Sequence, residues 1–94
     1  MSPKKHKFAC VHTPEALGQL VRDHRKRLKL TLQEVSDTSM LGLRFLSEME
    51  RGKENASLGK TLRALQAVGL EVLVLPRADA ARVMRTLEAE GDDP

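Results

Sequence analysis

The spacing of apolar residues predicts four helices followed by one short strand. The first helix is expected to start at Thr13 and Pro14, because threonine caps a helix and proline suits its first turn. Positions three or four residues apart then form one apolar face that is expected to be buried. Its members are Leu17, Leu20, Val21, His24 and Leu28.

Two shorter helices follow around a sharp turn. Thr31 and Glu34 form the pattern of a capping box, which predicts a second helix that ends near residue 37 or 38. A turn over residues 39–42 leads to a third helix over residues 43–50, and Gly52 supplies the left-handed residue that ends it. This layout is typical of a helix-turn-helix, in which the second helix of the pair enters the DNA major groove.

A fourth helix and an apolar segment complete the pattern. Ser57 is expected to cap the fourth helix and Gly69 to close it. Its expected buried face consists of Leu58, Thr61, Leu62, Leu65 and Val68. Residues 70–76, LEVLVLP, are short, rich in β-branched residues and almost entirely apolar, which favours a strand buried on both faces.

A lone strand needs a partner, because unpaired backbone polar groups are costly when they are buried. The favoured partner is the same strand of a second subunit, which would give a two-stranded ribbon across a homodimer. The apolar run at residues 8–11 is the alternative, and both pairings can coexist. The predicted dimer strand comprises Leu70, Val72, Leu73, Val74 and Leu75.

The chain is therefore expected to have four parts. Residues 1–12 form a basic arm, residues 13–69 the DNA-binding domain, and residues 70–76 the dimerisation strand. Residues 77–94 form a tail that is either weakly helical or disordered. If it is helical, Asp79 is the expected cap, and one side would carry Ala80, Val83, Met84 and Leu87. The tail could fold on a partner or have no role.

Composition and charge narrow the class of protein. The chain has 94 residues with two Phe and no Trp or Tyr, so it predicts one small domain with an aliphatic core of packed helices. The net charge of +3 conceals an asymmetry, since the basic residues concentrate before residue 78 and the tail is acidic. A basic body favours a polyanionic partner, although a solvated charged surface is the alternative.

The third helix carries the candidate residues for reading bases. Arg44 can place its forked guanidinium on O6 and N7 of guanine. Phe45 could touch a thymine methyl group, with plain core packing as the alternative. Glu48 could accept from cytosine N4 or orient Arg44. The predicted base-reading set is Leu43, Arg44, Phe45 and Glu48.

Phosphate contacts are expected around the same helix. Gly42 suits close approach to the backbone of DNA, because a side chain at the start of the helix would obstruct it. The predicted phosphate set is Gln33, Gly42, Ser47, Arg51, Lys53 and Asn55, with Ser47 facing either DNA or solvent. Arg25 and Glu50 are predicted to form a partly buried ion pair that ties the three helices together.

The sequence does not favour an enzyme or a metal site. It has no serine–histidine–aspartate spacing and no phosphate-binding loop, so we predict no catalytic residue and no cofactor. His6, Cys10 and His12 lack a fourth ligand and lie in the arm, so we predict no metal.

The expected location is the cytoplasm. The single cysteine excludes an internal disulfide and is compatible with a reducing compartment. No apolar run approaches the ~18 residues of a membrane span, and no long apolar segment follows the basic N-terminus, so we expect no signal peptide.

Residues 13–70 resemble the Cro/C1-type (Xre) helix-turn-helix family. The resemblance is carried by Arg25, the EVS step at residues 34–36, the LS-x-x-ERGK block at residues 46–53 and the later leucine-rich helix. It implies DNA binding and an all-α, lambda-repressor-like bundle of four to five helices, here with one C-terminal β-strand. The chain departs from the family at Leu32, where glutamine is usual, at Met40, where a turn glycine is usual, and at Gly42, where serine or threonine usually caps.

A narrower resemblance covers residues 44–53, RFLSEMERGK, and residues 61–76, TLRALQAVGLEVLVLP. Both look like the HipB-type antitoxins of type II toxin–antitoxin modules. That resemblance implies a homodimer with paired C-terminal strands, a palindromic double-stranded operator, repression of its own operon and a HipA-type Ser/Thr kinase toxin as partner. The alternatives are a stand-alone phage-type repressor, or an interaction adaptor that inhibits an enzyme without DNA.

Overall fold

The computed structural model describes residues 8–91, and its regular elements are five helices. The helices are α1 (Pro14–Arg27), α2 (Leu32–Ser39), α3 (Leu43–Glu50), α4 (Leu58–Ala67) and α5 (Arg77–Gly91). The predicted all-α fold is confirmed. The chain divides into two compact units, one of residues 11–71 and one that includes residues 72–91, and each is described by itself.

The helices of the first unit begin where local capping signals predict. In α1, the Thr13 hydroxyl accepts from the Ala16 N–H at 3.0 Å. In α2, the Thr31 hydroxyl accepts from the Glu34 N–H at 3.0 Å, and the Glu34 carboxylate accepts from the Thr31 N–H at 2.8 Å. The capping box is therefore confirmed. In α4, the Ser57 hydroxyl accepts from the N–H of residue 60 at 3.2 Å.

Left-handed residues end the helices of the first unit. Gly52 follows α3 with a φ of 90°, and Gly69 follows α4 with a φ of 79°. A Cβ at Gly52 would also lie 2.8 Å from the Cα of Glu15, so two independent constraints favour glycine there. The predicted ends of α3 and α4 are confirmed, while α2 runs on to Ser39, slightly beyond the prediction.

The core of the first unit is aliphatic and is shared by α1 to α4. Its buried members are Val21, Val35, Leu41, Leu46, Met49, Ala64, Leu65 and Val68. Thr61 is also buried, and its hydroxyl donates to the Ser57 carbonyl at 2.7 Å, so this polar group is satisfied inside. The expected core of small aliphatic side chains is confirmed.

The predicted faces of α1 and α4 need correction, and the core has one member outside the helices. Leu28 caps the C-terminus of α1 and is 49% exposed, rather than buried. In α4 the buried side is rotated toward Ala64, which leaves Leu58 71% and Leu62 40% exposed. Leu41 lies in the turn after α2, yet it is 4% exposed and belongs to the core. Helical spacing alone does not fix which edge of an apolar stripe faces the neighbouring helices.

Gly18 permits a close contact between α1 and α3. A Cβ at this position would lie 2.5 Å from the carbonyl oxygens of both Met49 and Glu50. Because those atoms belong to the backbone, they cannot move aside as a flexible side chain would. The helices therefore meet at a distance that only glycine allows, and the isolated glycine within a helical pattern was the available signal for it.

Residues 72–76 form no strand within the chain. Val72 is 51%, Leu73 77% and Val74 90% exposed, so the expected burial on both faces is absent from a single chain. Residues 8–11 form no strand either, so the alternative pairing with this run is not seen within residues 8–91. Pairing with a second subunit stays a prediction.

The tail is helical over residues 77–91. Asp79 lies in the first turn of α5 and pairs with Arg82, so the prediction that it caps the helix is wrong. The predicted stripe of Ala80, Val83, Met84 and Leu87 is half-buried. None of residues 72–90 is fully buried.

Within residues 8–91, no helix combines the length and the apolar character that crossing a membrane requires.

Candidate nucleic-acid interface

A buried ion pair fixes α3 to the rest of the first unit. Arg25 Nε donates to Glu50 Oε2 at 2.7 Å, and Arg25 Nη2 donates to Glu50 Oε1 at 3.1 Å. The remaining terminal nitrogen, Nη1, donates to the Leu30 carbonyl at 2.7 Å. The two side chains are only 9% and 4% exposed. The structure thus brings together the predicted pair, and the guanidinium joins α1, the segment before α2 and the end of α3.

The turn between α2 and α3 is built around Met40. This residue adopts the left-handed conformation, with φ 62° and ψ 28°, and its side chain is 84% exposed. The Ser36 hydroxyl donates to the Leu41 carbonyl, and the Ser39 hydroxyl accepts from the Leu41 N–H. With Leu41 anchored in the core, the turn keeps the left-handed shape of a glycine turn although no glycine occupies position 40.

Gly42 caps α3 without a side-chain hydrogen bond. Its φ of −66° is open to any residue, and a Cβ there would meet no atom within 4 Å. Neither the backbone conformation nor the packing of the chain therefore requires glycine at this position. The surface in front of the first turn of α3 is left open.

Arg44 extends from the first turn of α3 with 91% of its side chain exposed. Its Nε donates to Glu48 Oε2 at 3.3 Å, one turn further along the helix. Lys53, in the loop after α3, places its Nζ 3.1 Å from the other oxygen of the same carboxylate, Oε1. One acidic side chain therefore contacts two cations, one in the first turn of the predicted reading helix and one in the loop after it.

The hydrogen bonds to Glu48 lower its pKa. The bond from Lys53 has the largest effect, the bond from Arg44 comes next, and both bring the pKa below the ordinary value of 4.5. A carboxyl group whose pKa is depressed stays ionised at neutral pH. The cluster of Arg44, Glu48 and Lys53 therefore carries two positive charges and one negative charge.

The two apolar members of the predicted base-reading set differ in burial. Leu43 is 43% exposed at the start of α3. Phe45 is half-buried and packs against the core, and the Lys60 ammonium lies 5.8 Å from the centroid of its ring. Phe45 thus packs against the core, which is the alternative stated for it in the sequence analysis. A contact of Phe45 with thymine stays a prediction.

The predicted phosphate residues lie on α2, α3 and the loop that follows. Gln33 is exposed near the start of α2, and its amide donates to Asp37 at 2.9 Å. Arg51 and Asn55 are exposed, and Ser47 is half-buried.

Two cations of α4 were not anticipated from the sequence. Lys60 lies over Phe45, and Arg63 Nη2 donates to the Ser39 carbonyl at 3.0 Å. Both contacts cross between helices that are distant in sequence, so no local pattern announces them.

The predicted absence of a metal site concerns the arm, and His6 lies outside the described residues. Among residues 8–91, no three His, Cys, Asp or Glu side chains are grouped as metal ligands.

Comparison with known proteins identifies the family. No protein-family model matches the chain. The chain is 38% identical over 65 residues to y4mF, an uncharacterized HTH-type transcriptional regulator of Sinorhizobium fredii (strain NBRC 101917 / NGR234). The matched region covers 69% of this chain and 86% of that relative. The chain belongs to the helix-turn-helix transcriptional regulators of the Xre type. It is accordingly a DNA-binding regulator.

Solved structures of HipB share the fold of this regulator. A complex of a HipB variant with the O2 20mer superposes with a TM-score of 0.70 at 19% sequence identity, covering 73% of this chain and 96% of the other. HipB in the HipA-HipB-O2-O3 complex gives a TM-score of 0.69 at 19% identity, covering 73% of this chain and 97% of the other. At this level of identity, the likeness establishes the fold alone.

Proposed function

We propose that this regulator is a sequence-specific repressor that reads its operator through α3. The observation that carries the proposal is the presentation of Arg44. Its side chain is 91% exposed, and it is bonded to Glu48 through Nε alone. Both terminal nitrogens remain available to donate to O6 and N7 of one guanine, the commonest specific contact in the major groove.

Contacts to phosphate would hold α3 in register on the DNA. The basic excess of the chain before its acidic tail supports binding to a polyanion. The open space at Gly42 would admit the DNA backbone to the N–H groups of the first turn of α3, which have no side-chain cap. Gln33, Arg51 and Lys53 are proposed to donate to phosphate on either side of that helix.

We propose that two copies of the chain pair through residues 70–75. Three consecutive apolar side chains, Val72, Leu73 and Val74, are each at least half exposed in a single chain. A strand that pairs with its twofold copy would satisfy the backbone of residues 71–75 and cover these side chains, while the Leu70 N–H already donates to the Leu65 carbonyl at 2.9 Å. Two copies of α3 held about 34 Å apart would then read a palindrome with half-sites one helical turn apart.

We further propose that the protein is a cytoplasmic antitoxin that represses its own operon and neutralises a HipA-like Ser/Thr kinase. The fold shared with HipB, which is found in the HipA-HipB-O2-O3 complex, supports this role. It is tested by co-expressing the protein with the product of the adjacent gene. Co-purification of the two, together with relief of that product's toxicity, is expected. The antitoxin proposal is wrong if the neighbouring product neither binds nor harms the cell.

The base-reading role is tested with Arg44→Ala. Operator affinity is expected to fall by about 1–3 kcal/mol, with relaxed preference at one base pair, because one forked contact is lost. The measurement is a gel-shift titration against DNA upstream of the protein's own gene and against single-base variants of it. The matched variant Lys53→Ala should weaken binding to all sequences alike and reduce the salt slope by about one. An unchanged affinity for Arg44→Ala would show that another residue reads the operator.

A further inference from the structure

Glu48 contacts two cations, Arg44 on α3 and Lys53 in the loop that follows it. Its Oε2 accepts from Arg44 Nε at 3.3 Å, and its Oε1 accepts from Lys53 Nζ at 3.1 Å. The Glu48 side chain is 27% exposed, whereas those of Arg44 and Lys53 are 91% and 47% exposed. The acid thus lies behind the cations, which face solvent in front of it.

We propose that Glu48 is a positioning residue that sets the ratio of operator affinity to non-specific DNA affinity. It does so by holding Arg44 in the orientation that suits a guanine edge and by competing with phosphate for Arg44. This inference rests on the proposed function, because it requires Arg44 to read a base.

The atoms involved in the Arg44 contact explain the positioning. A guanidinium has five N–H donors in a planar fork. The Nε–H is used by Glu48, while the four N–H groups on Nη1 and Nη2 have no acceptor within the described residues. One N–H of each terminal nitrogen points along the end of the fork, and this pair has the end-on geometry for two parallel bonds to O6 and N7 of guanine. Glu48 can keep its bond while Arg44 reads the base.

Non-specific DNA presents a different acceptor. A phosphate is anionic, so it competes directly with the Glu48 carboxylate for the same cations, and Glu48 repels it. The lowered pKa of Glu48 keeps that repulsion in place at neutral pH. Guanine O6 and N7 are neutral acceptors and need not displace the carboxylate. Competition for Lys53 weakens both kinds of binding alike, because Lys53 is proposed to contact phosphate at every site. Competition for Arg44 weakens binding at random sites more than at the operator, because only at the operator does Arg44 meet a neutral base.

The test compares Glu48→Gln with the wild type on two duplexes. One duplex is selected by the wild-type protein from a random-sequence pool, and the other is a scrambled duplex of equal length and composition. For Glu48→Gln, affinity for the scrambled duplex is expected to rise, with a non-specific salt slope steeper by about one to two, since each newly neutralised phosphate adds ~0.9. The ratio of the two affinities should fall about 10-fold, within the range of one forked base contact.

Two control variants separate positioning from net charge. Asp23→Asn makes the same change of charge on the exposed face of α1, where Asp23 accepts from Gln19 at 2.8 Å. It is expected to change the affinity ratio less than about two-fold, because an exposed charge outside the interface is screened. Glu48→Asp keeps the charge but is one methylene shorter, so it should relax the preference at the base pair read by Arg44. Thermal unfolding of each variant reports whether the fold is intact.

The outcomes distinguish this inference from the proposed function. If Glu48→Gln and Asp23→Asn lower the affinity ratio equally, or if Glu48→Asp retains the full base preference, positioning by Glu48 is overturned. If Arg44→Ala relaxes the base preference while Glu48→Gln leaves the ratio unchanged, only the inference about Glu48 fails. If Arg44→Ala binds the selected duplex like the wild type, the base-reading role itself fails and the inference falls with it.

Discussion

The core of residues 11–71 and the segment of residues 72–76 differ sharply in how far their apolar side chains are exposed. In the first region Leu46 is 1% and Val68 2% exposed, whereas in the second Leu73 is 77% and Val74 90% exposed. Full burial of such a side chain is worth about 1.5–3 kcal/mol. The first region obtains that stabilisation within one chain. The second region leaves these side chains exposed in a single chain, which supports the proposal that another protein surface covers them.

One ion pair from each of the two compact units shows a similar difference in burial. Arg25 and Glu50 are almost fully buried, and the guanidinium also donates to a backbone carbonyl. The Arg82–Asp79 pair of α5 has side chains that are 70% and 45% exposed. Water and salt weaken an exposed pair, while a buried charge that loses its partner remains desolvated. Loss of one partner is therefore expected to cost more stability in the buried Arg25–Glu50 pair than in the exposed Arg82–Asp79 pair.

The largest expected effect comes from Glu50→Ala. Removal of this carboxylate leaves Arg25 charged and buried, which should lower the free energy of unfolding by about 3–5 kcal/mol. Urea denaturation followed by circular dichroism measures the change. The matched variant Asp79→Ala, in the exposed pair, should stay within about 0.5 kcal/mol of the wild type. Equal losses from the two variants would contradict the contrast between the two regions.

The next effect concerns assembly. The double variant Leu73→Asp/Val74→Asp places charge on both faces of the proposed strand, so it should weaken dimerisation about 100-fold or more, given ~1.5–3 kcal/mol per apolar side chain. Sedimentation over a concentration series measures the dissociation constant. Leu58→Asp is the control, because Leu58 is 71% exposed but lies on α4. A double variant that dimerises like the wild type would rule out pairing through this segment.

The smallest expected effect is on the stability of the turn between α2 and α3. Met40→Gly should raise the free energy of unfolding by up to ~1 kcal/mol, because a left-handed non-glycine residue is disfavoured by about 1–2 kcal/mol and glycine recovers part of it. Little packing is lost, since the side chain is 84% exposed. Thermal melts at several protein concentrations would show the gain. A loss of stability would mean that the Met40 side chain stabilises the turn.

The sequence predicted those features that depend on neighbours along the chain. Thr31 and Glu34 cap α2 as expected, and Gly52 and Gly69 end their helices with positive φ. Each signal is read within a few residues, so it does not require knowledge of the fold. Polar spacing on α3 similarly indicated the outward presentation of Arg44.

Features that depend on packing between helices were not predictable in the same way. The contact at Gly18 involves carbonyl oxygens some thirty residues away along the chain, and the rotation of α4 that buries Ala64 and exposes Leu62 is set by its neighbours. Residues 72–76 differ from the predicted strand for another reason in the account proposed above. If their pairing partner is a second copy of the chain, a single chain cannot show that pairing.

The eight residues of α3 form two faces of the helix, one buried and one exposed. Leu46, Met49 and Glu50 hold the scaffold, while Arg44 and Glu48 face outward. Substitution on the outward side leaves the interior contacts intact, so recognition can diverge without disturbing the architecture. A library randomised at positions 43, 44, 47 and 48 should therefore yield variants that keep the same fold and bind different operator sequences.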